Sequence, residues 1–357
     1  MSDRPNVLFI FSDQQRFDTV GAYADGRYPS IFPGLTPNLD AMAAEGTLFK
    51  HAFSCQPVCG PMRACLQTGQ YASENGCTTN GLRLPTDRPL LADTFHHAGY
   101  ETAYLGKWHL AHDKREQPNR RIDTPVPPEH RGGYRDYWMA SDVLEFTSHG
   151  YEGYFFDQDE NRVDWEGYRV DAQTNFLIDY LRDYATRADS DDGPDRPFFC
   201  MSSYLEPHHQ NDLNRYVGPI GSKQRFADYH TPGDLAGTKP EPGRRADWPQ
   251  HMADYLGCCW ALDRAVGRIR DELETLGLAE NTVIIYTSDH GCHFCTRNGE
   301  YKRSCHEASI RVPLIATGPG FTGGHAVEEM VSLIDLPPTL LAAAGAQVPD
   351  TFQGRPV

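Results

Sequence analysis

The sequence lacks several features that would define a class of protein. No apolar run approaches the roughly 20 residues that are needed to cross a bilayer. The first apolar run, residues 7–11, is too short for a secretory signal and has neither a basic flank nor a small-residue cleavage site. We therefore expect no membrane partner. We expect a cytoplasmic location for the chain as written, or a periplasmic or secreted one if a leader has been removed.

Positive charge is also scarce. The 357 residues carry 33 Lys and Arg against 49 Asp and Glu, which gives a formal net charge of −16. A surface that binds nucleic acid needs a basic surplus to neutralise phosphates, so this balance argues against a nucleic-acid partner. An anionic substrate would need a local positive pocket within an acidic surface.

The ten cysteines do not indicate a disulfide framework. A chain of this length without a secretory signal is expected to keep its thiols reduced. Cys292 and Cys295 form one C-x-x-C pair, but zinc sites built from this motif normally need a second pair. We therefore interpret most of the cysteines as small core residues.

Apolar runs alternate with helical patterns along the chain. Strands are predicted near residues 6–11, 47–53, 102–105, 197–203, 282–287 and 312–316, and helices near residues 36–46, 91–98, 170–184 and 254–276. This alternation predicts an α/β fold in which helices sandwich a large, mostly parallel sheet. We expect a single domain over residues 1–357, with long loop insertions near residues 111–168 and 211–250.

Polar residues follow four of the predicted strands at the carboxyl ends, where open α/β sheets bind ligands. They are Asp13 and Gln14 after residues 6–11, Lys107 and His109 after 102–105, Glu206, His208 and His209 after 197–203, and Asp289 and His290 after 282–287. Two carboxylates, an amide and an imidazole suit a divalent metal, and the oxygen-rich set favours calcium or magnesium over zinc. One such pair alone would more often be a helix cap or a loop hydrogen-bonder, but four at equivalent positions indicate a site.

One motif carries a family resemblance. Residues 59–69, Cys-Gly-Pro-Met-Arg-Ala-Cys-Leu-Gln-Thr-Gly, contain C-x-P-x-R followed by Thr-Gly. They resemble the signature of the type I, formylglycine-dependent sulfatases of the alkaline phosphatase superfamily. Residues 13–14, 106–110, 287–291, 302 and 311–315 follow in that family's order and rough spacing, and the resemblance extends from residue 5 to about residue 353. Residues 296–306 are most similar to bacterial polysaccharide sulfatases.

The resemblance implies a fold and a nucleophile. Family members usually carry a smaller carboxy-terminal subdomain, which we expect this chain, ending at Val357, to lack. A formylglycine-generating maturation enzyme would oxidise Cys59, and the hydrated aldehyde would attack sulfur and later expel sulfate. Arg63 would orient this diol, and Lys107 with Lys302 would neutralise the sulfate oxygens.

The same resemblance assigns the proton transfers and the metal. His109 would be the base that deprotonates the diol, and His208 the acid for the leaving alcohol, with His209 as the alternative. The cofactor would be a divalent metal, expected to be Ca²⁺, with Mg²⁺ or Mn²⁺ as alternatives. Its ligands would be Asp13, Gln14, Asp289 and His290.

The substrate is expected to be an anionic, sulfated small molecule or oligosaccharide. The similarity of residues 296–306 to polysaccharide sulfatases favours a sulfated sugar. Arg297, Arg303 and His306 could contact uronate or further sulfate groups. The aromatic stretch over residues 132–155 could stack on sugar rings, although packing around a loop is an almost equal alternative.

Two other functions are kept open. The first is a phosphonate monoester or phosphodiester hydrolase of the same superfamily, whose members resemble this chain around residues 13–16. The second is an inactive fragment that binds sulfated glycans. Two positions depart from the family pattern, since a carboxylate is more frequent at that of Gln14 and an asparagine at that of His290, and both departures affect the charge of the ligand set and the metal that it prefers.

Overall fold

We describe the protein from a computed structural model, which covers residues 4–116, 118, 122–188, 196–236, 238 and 247–357. The strands are β1 (Asn6–Ser12), β2 (Thr47–Phe53), β3 (Glu101–Lys107), β4 (Tyr137–Ser141), β5 (Glu152–Phe156), β6 (Arg162–Glu166), β7 (Phe198–Ser203), β8 (Thr282–Ser288), β9 (Arg311–Val312), β10 (Leu314–Thr317) and β11 (His325–Ser332). The helices are α1 (Pro37–Glu45), α2 (Cys59–Thr68), α3 (Ala72–Asn75), α4 (Leu91–His97), α5 (Arg169–Ala188), α6 (Ser222–Arg225), α7 (Trp248–Thr275), α8 (Glu307–Ile310) and α9 (Leu336–Ala343).

The strands form one large sheet. Its order is β11-β2-β10-β8-β1-β7-β3-β4-β5-β6, with β9 paired to β2. The central strands β8, β1, β7, β3 and β4 are parallel, whereas β10, β5 and β6 pair antiparallel with their neighbours. The carboxyl ends of the central strands therefore meet at one edge of the sheet. The predicted α/β fold with a large sheet is confirmed.

Helices cover both faces of this sheet because side chains alternate along each strand. Phe9 of β1 points into a cluster that includes Leu66 of α2. Its neighbour Ile10 points into the opposite cluster, which includes Leu177 of α5 and Leu262 of α7. A strand that is buried on both faces needs a continuous apolar sequence, which is why β1 reads as an uninterrupted hydrophobic run.

A close contact between two central strands depends on a glycine. Gly106 lies in β3 with φ 96°, and a Cβ added to it would lie 2.1 Å from the Ser203 carbonyl oxygen. Only glycine tolerates both the positive φ and this approach. It allows β3 to end beside β7, which brings Lys107 to the same edge as the end of β1.

The region predicted as a loop at residues 111–168 is more regular than expected, because it contains β4, β5 and β6. Strand β4 extends the parallel part of the sheet, and β5 and β6 form its antiparallel edge. Residues 211–250 hold only α6 and the start of α7 among the described residues, and residues 237 and 239–246 of this predicted insertion lie outside them. Within the described part of the chain, no helix has both the length and the apolar character that a membrane crossing requires.

Candidate active site

The carboxyl edge of the central strands gathers the polar residues that the sequence singles out. Asp13 directly follows β1, Asp289 directly follows β8, and Lys107 is the last residue of β3. All three side chains are fully buried. Buried charges are costly unless they are paired or bind a ligand, so their concentration at one edge marks a candidate site.

Cys59 lies at the centre of this group. It is the first residue of α2 and is 1% exposed. Lys302 Nζ donates to its Sγ at 2.8 Å, His290 Nε2 lies 3.3 Å from Sγ, and Asp13 Oδ1 lies 3.4 Å from it. Burial raises the pKa of the Cys59 thiol, but the positive charges of Lys302 and Lys107 outweigh burial and hold the pKa well below its ordinary value. The position therefore favours a negatively charged group.

Four potential metal ligands meet around this sulfur. One ligand atom from each of Asp13, Cys59, Asp289 and His290 lies within 4.8 Å of the others. The Oδ2 atom of Asp289 has no hydrogen-bond partner among the described residues, while its Oδ1 accepts from the backbone N–H of Gln14 at 3.0 Å and of His290 at 2.8 Å. Burial and the nearby Asp13 raise the pKa of Asp289 to about 7. A cation at this position would relieve the repulsion between the two carboxylates.

The His290 ring is oriented for such a role. Its Nδ1 lies 2.9 Å from the Gly291 carbonyl oxygen, so Nδ1 carries the proton and Nε2 faces the carboxylates. Gln14 differs, because its amide Oε1 accepts from the His209 N–H at 3.3 Å and its Nε2 donates to the Tyr216 hydroxyl at 3.2 Å. The oxygen and the nitrogen of the Gln14 amide therefore both make hydrogen bonds within the chain, away from the carboxylates.

Three cations lie around Asp13 and Cys59: Arg63 and Lys107 contact the carboxylate, and Lys302 contacts the sulfur. Arg63 Nη2 and Lys107 Nζ lie 3.1 and 2.9 Å from the same oxygen, Asp13 Oδ2. Although burial raises the pKa of Asp13, the charges of Lys107, His208 and Arg63 together hold it well below its ordinary value. Asp13 is thus ionised and shared among several cations, so no one of them is fully neutralised by it.

The predicted histidines occupy different positions. His208 Nε2 lies 3.1 Å from Lys302 Nζ, and its Nδ1 lies 2.6 Å from the His209 carbonyl oxygen. Burial and the charge of Lys302 lower the pKa of His208. His109 has a positive φ of 63°, and its buried Nδ1 has no hydrogen-bond partner among the described residues.

His209 does not point into the same space. Its ring stacks on Tyr301 with the centroids 4.5 Å apart, and it is buried outside the lining of the cavity that opens onto Cys59. Burial lowers the pKa of His209 to about 4. It packs beneath Tyr301, which does line that cavity.

Glu145 is a site residue that the sequence analysis missed. Its Oε1 lies 3.0 Å from Lys107 Nζ and 3.8 Å from His208 Nδ1, and its Oε2 has no hydrogen-bond partner among the described residues. Burial raises the pKa of Glu145, but the charge of Lys107 lowers it to about 2. Nothing in the sequence marks this residue, because it lies in a stretch without periodicity, between β4 and β5.

A cavity of about 450 Å³ opens above Cys59. Its walls include His109, Glu145, His208, Lys302 and Arg303. Asn80 was also missed by the sequence analysis, and its Oδ1 accepts from the N–H of Gly60 at 3.0 Å beside this cavity. The space is large enough for a small ring and is lined by charges of both signs.

The three residues predicted to contact substrate anions are divided between two cavities. Arg303 lines the cavity above Cys59 and pairs with Glu300 at 2.6 Å. Arg297 and His306 instead line a separate cavity of about 370 Å³, which shares no lining residue with the first. Of the three residues predicted to contact uronate or sulfate groups, the structure therefore places only Arg303 beside Cys59.

Known proteins were compared with the chain. The family model described as Sulfatase matches residues 5–346. The ulvan-active sulfatase of Formosa agariphila is 32% identical over 359 residues, and the alignment covers 99% of this chain and 64% of that protein. The uncharacterized sulfatase YidJ of Escherichia coli is 33% identical over 385 residues, with 99% of this chain and 70% of that protein covered. The chain thus spans about two thirds of the length of these relatives.

A solved structure is also similar. It comes from work on glycosaminoglycan metabolism by Bacteroides thetaiotaomicron and matches with a TM-score of 0.83 and 26% sequence identity. The match covers 99% of this chain and 76% of that one.

Proposed function

Because this chain belongs to the sulfatase family, we propose that it hydrolyses sulfate esters in the cavity above Cys59. The proposal depends most on the groups that surround the Cys59 Sγ, which are a lysine and three potential metal ligands. Lys302 Nζ lies 2.8 Å from it, and the four candidate metal ligands, Cys59 included, lie within 4.8 Å of one another. A nucleophile at this atom would attack an anionic ester beside fixed positive charge.

Cys59 is proposed as the precursor of formylglycine. Converted to the hydrated aldehyde, it would supply one hydroxyl to attack sulfur and a second to expel sulfate. The cations that lower the pKa of the thiol would equally stabilise an ionised hydroxyl in its place. A maturation enzyme would be the partner that carries out the oxidation.

Asp13, Asp289 and His290 are proposed to hold a divalent metal. Gln14, the fourth ligand predicted from the sequence, is a weaker candidate because its amide already makes hydrogen bonds to His209 and Tyr216. The unpartnered Asp289 Oδ2 and the oxygen-rich donor set fit Ca²⁺, and Mg²⁺ or Mn²⁺ would suit the same atoms. Such an ion, when bound, supplies positive charge to the oxygens of the ester and of the nucleophile.

The cations of the chain are proposed to bind the sulfate group. Lys302 Nζ faces the Cys59 Sγ directly, and Lys107 and Arg63 approach from the side of Asp13. These positively charged groups are rigid because they are buried and paired, so they need little reorganisation when negative charge develops on the sulfate oxygens. They form the positive pocket that an acidic protein needs for an anionic substrate.

Two histidines are proposed to move protons. His208 Nε2 faces Lys302, and a bound anionic ester would offset the effect of that lysine on its pKa, so His208 would protonate the leaving alcohol. His109 lines the cavity on the other side and would take the proton from the nucleophile during release of sulfate. His209 would hold Tyr301 in place instead of meeting the substrate.

The substrate is proposed to be a sulfated sugar or a fragment of a sulfated polysaccharide. One relative is named for activity on ulvan, and one similar structure comes from work on glycosaminoglycans. Of the three residues predicted to contact substrate anions, Arg297, Arg303 and His306, Arg303 is the one that lies in this cavity. It would meet a further anionic group on the ring that carries the sulfate ester.

The proposal is tested by comparing the hydrolysis of an aryl sulfate with that of an aryl phosphate diester. We expect the sulfate to be the better substrate, a chelator to abolish turnover, and added Ca²⁺ to restore it. Mass analysis of the peptide with Cys59 should show replacement of the thiol by an aldehyde. Active protein with an unmodified Cys59 would exclude the nucleophile, and preference for the diester would favour the phosphodiester alternative.

A further inference from the structure

A second cavity, of about 370 Å³, is lined in part by residues of the same segment 297–306 that borders the cavity above Cys59. Residues 299–303 of this segment line the first cavity, and Arg297 and His306 line the second. Apolar walls come from Phe17, Tyr28 and Pro232. A concave space with apolar walls and a few polar groups is the common form of a small-molecule site.

The carboxylates of the second cavity are already paired. Asp18 and Asp234 both bind the buried guanidinium of Arg16, with N–O distances of 2.6 and 2.8 Å. Glu307 accepts from the Tyr28 hydroxyl at 2.7 Å and from Arg311 at 3.1 Å. These acids therefore have little negative charge left to repel an anion.

Two arginines of the same cavity are not paired in this way. Arg27 and Arg297 make no ion pair within 4.0 Å in the part of the chain that the structure describes. The Nε of Arg297 is buried and has no hydrogen-bond partner there. A guanidinium without an acidic partner beside apolar walls is a typical feature of sites for carboxylate or sulfate groups.

We propose that the second cavity binds a ring that carries a carboxylate or a sulfate group. Arg27 and Arg297 would contact the anion, and Phe17, Tyr28 and Pro232 would pack against the ring. The ligand could be an acidic unit of a sugar chain or an aromatic acid, which share this chemistry. Binding in the second cavity does not require hydrolysis at Cys59, so a failure of one proposal would not contradict the other.

Saturation-transfer NMR on the full chain tests the proposal with two anionic probes and their neutral counterparts. The first pair is an unsulfated disaccharide with a glucuronate unit and the same disaccharide with glucose, and the second is benzoate and benzamide. We expect at least one anion to bind, and its neutral counterpart to bind at least tenfold more weakly. Binding of glucuronate alone would indicate a sugar ligand, and of benzoate alone an aromatic acid.

Matched variants locate the binding. Arg297→Gln combined with Arg27→Gln should weaken the anion at least tenfold, whereas Arg303→Gln, on the other cavity, should leave it unchanged. Thr231→Trp, at an exposed position that lines the second cavity, should block it without removing any charge. The proposal is wrong if neither anion binds, if the double variant binds as well as the wild type, or if only Arg303→Gln reduces binding.

Discussion

Two buried arginines in this protein have opposite surroundings. Arg16, beside the second cavity, and Arg63, beside Cys59, are each 2% exposed. Every nitrogen of the Arg16 guanidinium donates a hydrogen bond, to Asp18, Asp234 or the Cys292 carbonyl oxygen. The Nε of Arg63, in contrast, has no hydrogen-bond partner among the described residues. The Nη2 of Arg63 and the Nζ of Lys107 both contact the same oxygen of Asp13.

The difference separates structural charge from functional charge. Around Arg16, each charge is neutralised within the chain, so the cluster holds three segments together and needs nothing further. Around Cys59, Asp289 Oδ2 and Glu145 Oε2 are buried without a hydrogen-bond partner among the described residues, and Asp289 Oδ2 has only the more distant Arg63 Nη2, at 3.8 Å, as an ion-pair partner. Buried polar atoms without hydrogen-bond partners lower the stability of the free protein, and a bound ligand can supply the missing partners.

The largest expected effect is at the site itself. Cys59→Ala should lower the kcat for an aryl sulfate by about 10⁴-fold or more, since removing a nucleophile costs this much in hydrolases that use one. The melting temperature should change little, because alanine fills most of the same small space. Turnover within tenfold of the wild type would show that another group performs the attack.

The next largest effect is structural. Arg16→Met should lower the free energy of unfolding by about 3–5 kcal/mol, because it leaves Asp18 and Asp234 without their buried partner. Urea denaturation measures the loss. As a control, the folded fraction of the Arg16→Met variant should retain most of the wild-type kcat. A stability equal to that of the wild type would contradict the structural role of this cluster.

Arg63→Met should have the opposite pattern, with a large loss of activity and a small loss of stability. We expect kcat to fall by about 10²- to 10³-fold, the usual cost of losing one preorganised charge at a reaction centre. The free energy of unfolding should fall by only about 1–2 kcal/mol, because Lys107 Nζ still lies 2.9 Å from Asp13 Oδ2. If Arg63→Met and Arg16→Met have the same effects on both quantities, the distinction between the two arginines is wrong.

The smallest effect concerns Asp263, a buried carboxylate that makes no ion pair with any of the described residues. It accepts from the Leu39 N–H at 2.8 Å and from Asn38 Nδ2 at 2.7 Å, and burial raises its pKa to about 6. The folded chain then binds more protons than the unfolded one between about pH 4 and 6, so stability falls as the pH rises through this range.

Asp263→Asn should remove that part of the pH dependence. The unfolding free energy at pH 7, relative to that at pH 4, should improve by about 1–2 kcal/mol compared with the wild type. Denaturation curves at the two pH values give the result. An identical pH dependence in the two proteins would mean that hydrogen bonds from neutral groups are enough to keep this carboxylate ionised.

The sequence predicts the centre of the fold better than its edges. Strands β1, β7 and β8 are buried on both faces, so each leaves a continuous apolar run that is easy to recognise. Strands β5 and β6 lie at the sheet edge with several exposed residues, and their short mixed sequences resemble a loop. An edge strand forms because it pairs with a neighbouring strand, and its own local sequence does not indicate that pairing.

The same limit applies to the site. Residues that directly follow central strands, such as Asp13 and Asp289, could be placed because strand ends converge by topology. Glu145 could not, since its role depends on the fold of the segment after β4. Arg297 and Arg303 are six residues apart, yet they line different cavities, because the segment between them forms bends instead of a regular strand or helix.

The central place of β1 also has a consequence for how the protein is made. Val7 pairs with Phe199 on one side and with Val283 on the other, so β1 has neither neighbour until these later residues leave the ribosome. Such long-range pairing makes folding slow. Because Cys59 is buried in the folded chain, we expect an enzyme that modifies it to act before the sheet is complete.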